Sequence, residues 1–383
     1  MKSPSVVTLL KSLVQIPSVN PIIEETRDEG EIGTFIADWF RRTRKFNVVE
    51  QKVRKNRFNV VATLPGRGDG LSLMLNGHMD TVGVSDMTIK PFNPTIGHGR
   101  LYGRGSCDMK GSLAAMMSAM LTLANSNKKL NGDVIFSVVV DEEYKSEGMY
   151  ELVKRFRADA AIVGEPTSLN VATSQKGYAW LEIKTIGHRI HGSTPEGGVD
   201  AIEKMAIIIS QLDRIRRRHA RLRHRLAGTP RIHTSTITGG SEWATVPADC
   251  VLRLERRLIP GENPQKAVRE LKQLIAQCSK RDNQLKATVK LIHHAESIDV
   301  KHGRHISLLK QEVERAGIES RIVGVPYWTD AAILVHQAKI PTCIFGPGNI
   351  ENAHTPDEYV KIHEVVDAIP VFVKTAQRYC GAA

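Results

Sequence analysis

The sequence has no apolar run near the roughly 20 residues a membrane-spanning helix needs, so no helical span is expected. From Met1 to Pro17, Leu and Val are mixed with Lys, Ser and Gln. That stretch lacks the apolar centre and small-residue cleavage site of a secretion signal, and reads as an amphipathic helix ending near Pro17. Cysteine is scarce and odd in number. Cys107, Cys250, Cys278, Cys343 and Cys380 show no C-x-x-C spacing, which suggests neither a disulfide framework nor a thiolate zinc site and favours a reducing, cytoplasmic setting. Acidic residues fall short of basic ones, 41 against 53, for a formal charge of +12. Much of the excess is the run Arg214–Arg225. No nucleic-acid motif accompanies it and aromatic residues are scarce around it, so it reads as a solvated face with no nucleic-acid partner. Internal repeats and low-complexity segments are lacking as well.

What is present is an ordinary globular balance, 41% hydrophobic and 25% charged, in 383 residues, a length sufficient for two domains. The first part alternates strand and helix signals: strands at Phe58–Leu64, Leu71–Leu75, Val134–Val140 and Ala160–Val163, helices at Gly111–Ala124 and Gly148–Phe156. Val134–Val140 is a nearly pure β-branched run of the kind buried on both faces of a parallel sheet. The rhythm changes near Thr173. Strand, long helix, two strands, helix and strand follow to about Glu296, a β-α-β-β-α-β order that predicts a separate sandwich of antiparallel sheet and two helices. The α/β pattern then resumes. The expected organisation is one α/β domain, residues 1–172 and 297–383, interrupted by an inserted α+β domain at 173–296.

Five polar clusters stand at predicted strand ends or in loops: His78-Met79-Asp80, Asp108, Glu142-Glu143, Glu165 and His354. Singly, each has an ordinary explanation: a solvated H-x-D turn, a helix cap at Asp108, an exposed acidic turn, a loop glutamate, a surface histidine. Together they fit a different pattern, because strands of one parallel sheet would carry them to a common edge. Imidazole and carboxylate ligands without thiolate suit zinc or a related divalent ion. A carboxylate shared by two cations holds them about 3.5–4 Å apart.

Seven ordered blocks carry a resemblance. They are Gly77-His78-Met79-Asp80-Thr81-Val82, Gly103-Arg104-Gly105-Ser106-Cys107-Asp108-Met109-Lys110-Gly111, Asp141-Glu142-Glu143, Val163-Gly164-Glu165-Pro166-Thr167, Trp328-Thr329-Asp330-Ala331, Phe345-Gly346-Pro347-Gly348 and Ala353-His354-Thr355-Pro356-Asp357-Glu358. Along nearly the whole chain they resemble the co-catalytic zinc hydrolases, the family of acetylornithine deacetylase, succinyl-diaminopimelate desuccinylase, aminoacylase and carboxypeptidase G.

The resemblance implies a zinc-peptidase-like mixed sheet with an inserted dimerisation or lid domain. It implies two divalent metals, zinc with cobalt as the alternative: His78, Asp108 and Glu165 on one, Asp108, Glu143 and His354 on the other. Asp80 would accept the second ring N–H of His78, and Glu142 would be the general base and later the proton donor. The peptide after Asp108 would be cis. His191, in His188-Arg189-Ile190-His191-Gly192-Ser193-Thr194-Pro195, would stabilise the oxyanion and reach the partner's site in a homodimer, a plain loop histidine being the alternative.

Arg257 is the better match to the family's substrate-carboxylate clamp and Arg256 the poorer; a structural ion pair with Glu255 is the competing reading. An asparagine that many relatives carry before the Val-Pro is here Ala244. The glycine-rich Gly346-Pro347-Gly348-Asn349 would offer backbone N–H groups to a ligand, or be a simple turn. The implied reaction is hydrolysis of the amide of an N-acyl amino acid, acetylornithine deacetylase-like, with desuccinylase and carboxypeptidase or dipeptidase activities as alternatives. A metal-free binding or scaffold protein on the same fold is the reading from another class.

Overall fold

In the computed structural model, which describes residues 5–24 and 28–381, the chain divides into two compact units. One comprises residues up to Thr173, Val300–Val323 and the residues from Thr329 on; the other comprises Ser174–Asp299 and Gly324–Trp328.

The first unit is built on a mixed sheet in the order Asn47–Arg54, Arg57–Leu64, Val134–Val139, Leu73–His78, Ala160–Val163, Thr342–Ile344, Val171–Gln175. Val134–Val139, Leu73–His78, Ala160–Val163 and Thr342–Ile344 run parallel to one another, and the flanking pairs are antiparallel. Every residue of these four parallel strands is buried, the burial expected when helices cover both faces. Helix Gly111–Asn125, rich in Ala, Met and Leu, buries most of its length against the sheet, the first helix Val6–Gln15 and the last helix Ile362–Tyr379. Truncating a core side chain such as Leu113 would cost about 2–5 kcal/mol.

Register does the positioning. Asn76 is level with Val163 and His78 with Val139, so Glu165 emerges beside His78 and the Asp141–Glu143 turn emerges on the other side. Two glycines let helix and turn approach this edge. A Cβ at Gly77 would lie 2.4 Å from Met109 Cε, and one at Gly164 would lie 2.8 Å from the same atom. Met109 thus packs over both strand ends and brings its neighbour Asp108 with it. The Asp108–Met109 peptide is cis.

Sequence patterning missed the edge strand Asn47–Arg54, the helix Gly30–Arg41 and a small antiparallel sheet of Thr95–Gly97, Arg100–Tyr102 and Tyr359–Lys361.

The second unit is a four-stranded antiparallel sheet, ordered Arg231–Gly239, Asp249–Leu258, Gly177–Ile186, Lys286–Ala295, with helices Ala201–His219 and Pro264–Ser279 packed against it. Asp200 and Asn263 cap these helices, accepting from Ile202 N–H at 2.8 Å and Gln265 N–H at 2.7 Å. Alternate residues Ala179, Leu181 and Ile183 meet Leu252, Leu254, Met205, Ile208 and Leu271 in its core.

The unit also claims Gly324–Trp328, a later stretch that sequence rhythm assigned to the other domain. The Trp328 ring lies edge-on to Tyr178 at 5.8 Å, and its Nε1 donates to Glu296 O at 3.2 Å. All seven arginines between Arg214 and Arg225 are exposed. The five cysteines are free and buried, and among the described residues no helix is long and apolar enough to cross a membrane.

Candidate metal centre

His78, Asp108, Glu142, Glu143, Glu165 and His354 all belong to the first unit, and the fold brings them together. His78 Nε2 lies 3.0 Å from Asp108 Oδ1 and 3.7 Å from Glu165 Oε1. His354 Nε2 lies 3.1 Å from Glu143 Oε1 and 3.3 Å from Asp108 Oδ2. Asp108 therefore turns one oxygen to each histidine. Donor atoms of His78, Glu142 and Glu165 fall within 4.8 Å of one another, as do those of His78, Asp108 and Glu143. His78 and Glu165 are buried, whereas the His354 side chain is 46% exposed and marks the open side.

The electrostatics of this cluster are lopsided. Burial pushes the carboxyls of Glu142 and Glu165 well above the ordinary range, and their carboxylate neighbours, Asp330 among them, push further against the opposing His78. Glu143 is raised for the same reason, with His354 opposing. In Asp108 burial is outweighed by hydrogen bonds from His354 and His78, which hold it below the usual carboxylate range. No lysine or arginine among the described residues pairs with these four carboxylates, and Glu165 Oε1 is buried without a hydrogen-bond partner. Two imidazoles and four crowded carboxylates, one with an orphaned oxygen, are a donor set that fits divalent cations.

Behind the cluster stand the residues that hold it in place. His78 Nδ1 is 3.0 Å from the backbone carbonyl of Asp80 and 3.5 Å from its carboxylate, so the nearer acceptor is the carbonyl. The Asp80 carboxylate instead accepts from Glu142 N–H and Glu143 N–H, both at 3.1 Å, and from Asn20 Nδ2 at 2.9 Å. Glu358 performs the same service for Asp108. It accepts from the N–H groups of Gly105, Cys107 and Asp108 at 3.1, 2.9 and 3.1 Å, and pairs with Arg104 at 2.8 Å.

The expectation for the glycines is corrected. The Gly346 N–H donates to Thr167 Oγ1 at 3.2 Å and the Gly348 N–H to Glu364 Oε2 at 2.7 Å, so neither is left for a ligand. A Cβ at Gly346 would meet Ser112 Oγ at 2.4 Å; close packing accounts for the residue.

His191, Arg256 and Arg257 lie in the second unit. His191 is exposed, with Nδ1 held by Ser193 Oγ at 2.7 Å. Arg257 Nε donates to Glu255 Oε1 at 2.6 Å with its guanidinium near the Tyr178 ring, and the side chain stays 31% exposed. Arg256, one residue away and on the opposite face of the strand, is buried and paired with Glu262 at 2.8 Å.

The model of peptidase family M20/M25/M40 matches residues 74–378. The chain belongs to that family. It is 28% identical over 391 residues to the acetylornithine deacetylase of Buchnera aphidicola subsp. Acyrthosiphon pisum (strain Tuc7), across 99% of both chains. The crystal structure of aminopeptidase PepT from Bacillus cereus superposes with a TM-score of 0.78 at 21% identity, covering 98% of each chain. A Bacillus subtilis protein described as a dinuclear metal-binding peptidase of the family gives 0.74 at 17% identity, over 98% of this chain and 97% of that one. The fold is thus the mixed α/β fold of this family, and the protein is a hydrolytic enzyme acting on amide bonds.

Proposed function

We propose that the protein removes the acyl group of an N-acyl amino acid, as an acetylornithine deacetylase does, at a pair of divalent cations. The observation that carries this reading is Asp108, set between His78 and His354, with Glu142 beside His78 and Glu165. His78, Asp108 and Glu165 would hold one cation and Asp108, Glu143 and His354 the other, zinc suiting the donors best and cobalt next. Such cations supply charge neutralisation, polarisation of the amide carbonyl and acidification of water.

The chain's own groups do the rest. Glu142, beside His78 and Glu165, accepts a proton from the attacking water and returns it to the leaving amine. Asp80 fixes the turn that presents Glu142 and Glu143. Exposed His191 is the donor for the oxyanion, reaching across a homodimer formed through the inserted unit, and Arg257 binds the substrate carboxylate. The buried free cysteines support a cytoplasmic setting.

Turnover of N-acetyl, N-succinyl and dipeptide substrates by metal-loaded protein tests the substrate. Preference for N-acetyl amino acids is expected, and cleavage of dipeptides alone would replace this reading with a peptidase. For the trans role of His191, co-expressed Glu142→Gln and His191→Ala chains should regain part of the activity that each homodimer lacks.

A further inference from the structure

The turn Asp141–Glu147 hangs from two buried carboxylates. Glu142 N–H and Glu143 N–H donate to Asp80 at 3.1 Å each, and Lys145 N–H and Glu147 N–H donate to Asp141 Oδ2 at 3.3 Å each. Asp141 and Ser146, at the ends of the turn, have φ of +71° and +56°, conformations that non-glycine residues hold only when their surroundings impose them.

Asp80 and Asp141 are each about 1% exposed, and one side chain touches both. Asn20 Nδ2 donates to Asp80 Oδ2 at 2.9 Å and to Asp141 Oδ1 at 3.1 Å. Its Oδ1 accepts from Ile22 N–H at 3.1 Å, which settles which end of the carboxamide faces the acids. Its backbone is fastened as well: Asn20 N–H donates to Thr81 O and Thr81 N–H to Ser18 O, both at 2.9 Å. Arg57 reaches Asp141 Oδ1 at 3.0 Å but not Asp80.

We propose that Asn20 is a positioning residue for the reaction. Its carboxamide spaces Asp80 from Asp141 and so fixes the turn that presents Glu142. The inference rests on the reading of Glu142 as the proton acceptor. An aspartate at position 20 keeps the shape of the side chain but sets a third anion between two others. An alanine removes both N–H donors at once. Either change frees the turn and leaves every carboxylate and histidine of the cluster in the sequence.

Hydrogen exchange on the full chain, together with kinetics, tests this. In Asn20→Asp, amides of the peptide spanning 141–147 should exchange about ten-fold faster or more, with the rest of the first unit unchanged. Bound metal should stay at the wild-type level and KM within about two-fold. By contrast, kcat should fall about ten-fold or more, as displacement of a catalytic group by an ångström does. Asn20→Ala, which introduces no charge, must show the same localised change and carries the test if the aspartate variant fails to fold. Unchanged exchange at 141–147, or an even rise throughout the unit, would overturn the proposal. If exchange changes as expected but wild-type protein turns over none of the acylated substrates, the positioning stands and the substrate reading fails.

Discussion

Glu29 and Asp141 are buried carboxylates with an arginine between them; Asp108, Glu142, Glu143 and Glu165 are crowded carboxylates with none among the described residues. Arg57 grips Glu29 with Nε at 2.6 Å and Nη2 at 2.5 Å, and reaches Asp141 at 3.0 Å. Burial still lifts the Glu29 carboxyl to about 7, with Arg57 pulling it back. Glu358 is likewise answered by Arg104. At the His78 cluster no lysine or arginine among the described residues answers the carboxylates; the counter-groups are the imidazoles of His78 and His354. Burial alone would keep both neutral, but the surrounding carboxylates raise their pKa, that of His354 to about 11. Where carboxylates hold the scaffold, the chain provides an arginine; at the candidate site it provides only the two imidazoles against four carboxylates, an arrangement open to cations from outside. A buried carboxylate without a partner costs several kcal/mol or takes up a proton, so the second arrangement makes sense as a receptor for cations.

The largest effect expected from breaking this contrast is on the site itself. Glu142→Gln should lower kcat about 10²-fold or more while keeping the metal, whereas Glu143→Gln should lose metal. Metal analysis beside steady-state kinetics checks it, and equal metal loss in both variants would reverse the roles assigned here. On the scaffold side, Arg57→Met should cost about 3–5 kcal/mol in denaturant unfolding, because two buried carboxylates lose their cation. Added zinc should not restore that stability, whereas it should stabilise the wild type.

His305 is a third kind of buried group, one that avoids needing a partner by staying neutral. It is about 2% exposed, its Nε2 has no partner, and burial pushes its pKa down to about 4. A folded pKa below the ordinary 6.5 means that protonation favours the unfolded chain. The stability is therefore complete above about pH 6.5 and is lost as pH falls toward 4, by at most about 3 kcal/mol. His305→Leu should flatten that part of the pH–stability curve; an unchanged slope would mean that His305 does not titrate there.

The smallest effect belongs to the exposed arginines. Arg217, in a solvent-facing pair with Asp213 at 3.2 Å, should change stability by no more than about 0.5 kcal/mol when replaced by alanine. Nucleic-acid binding at physiological salt that vanishes with the Arg214–Arg225 run would overturn the reading of this face as solvated.

Much of the architecture was readable because its strands and helices obey simple periods: Val134–Val139 and Ala160–Val163 fall where patterning places them. The edge strand Asn47–Arg54 was not readable, since Glu50, Gln51, Lys52 and Arg54 dilute its apolar positions. The Gly346 and Gly348 N–H groups looked available because a sequence does not show Thr167 or Glu364 accepting from them. Asn20, Glu29 and Arg57 gave no local signal either. Asn20 lies 60 residues from Asp80 and 121 from Asp141, and only register and long-range packing put it between them. The candidate site groups sit in short dense motifs, while several of those that hold them, Asn20, Glu29 and Arg57, lie far along the chain from them.

The central claim is that the crowded carboxylate and histidine cluster is a two-cation site. Elemental analysis of protein purified without chelator measures this most directly, with the double variant Asp108→Ala, His78→Ala as the reference. The account predicts close to two divalent ions per wild-type chain and a loss of both in the variant, because Asp108 is the shared ligand. Trace metal in the folded wild type, or an equal content in the variant, would contradict it.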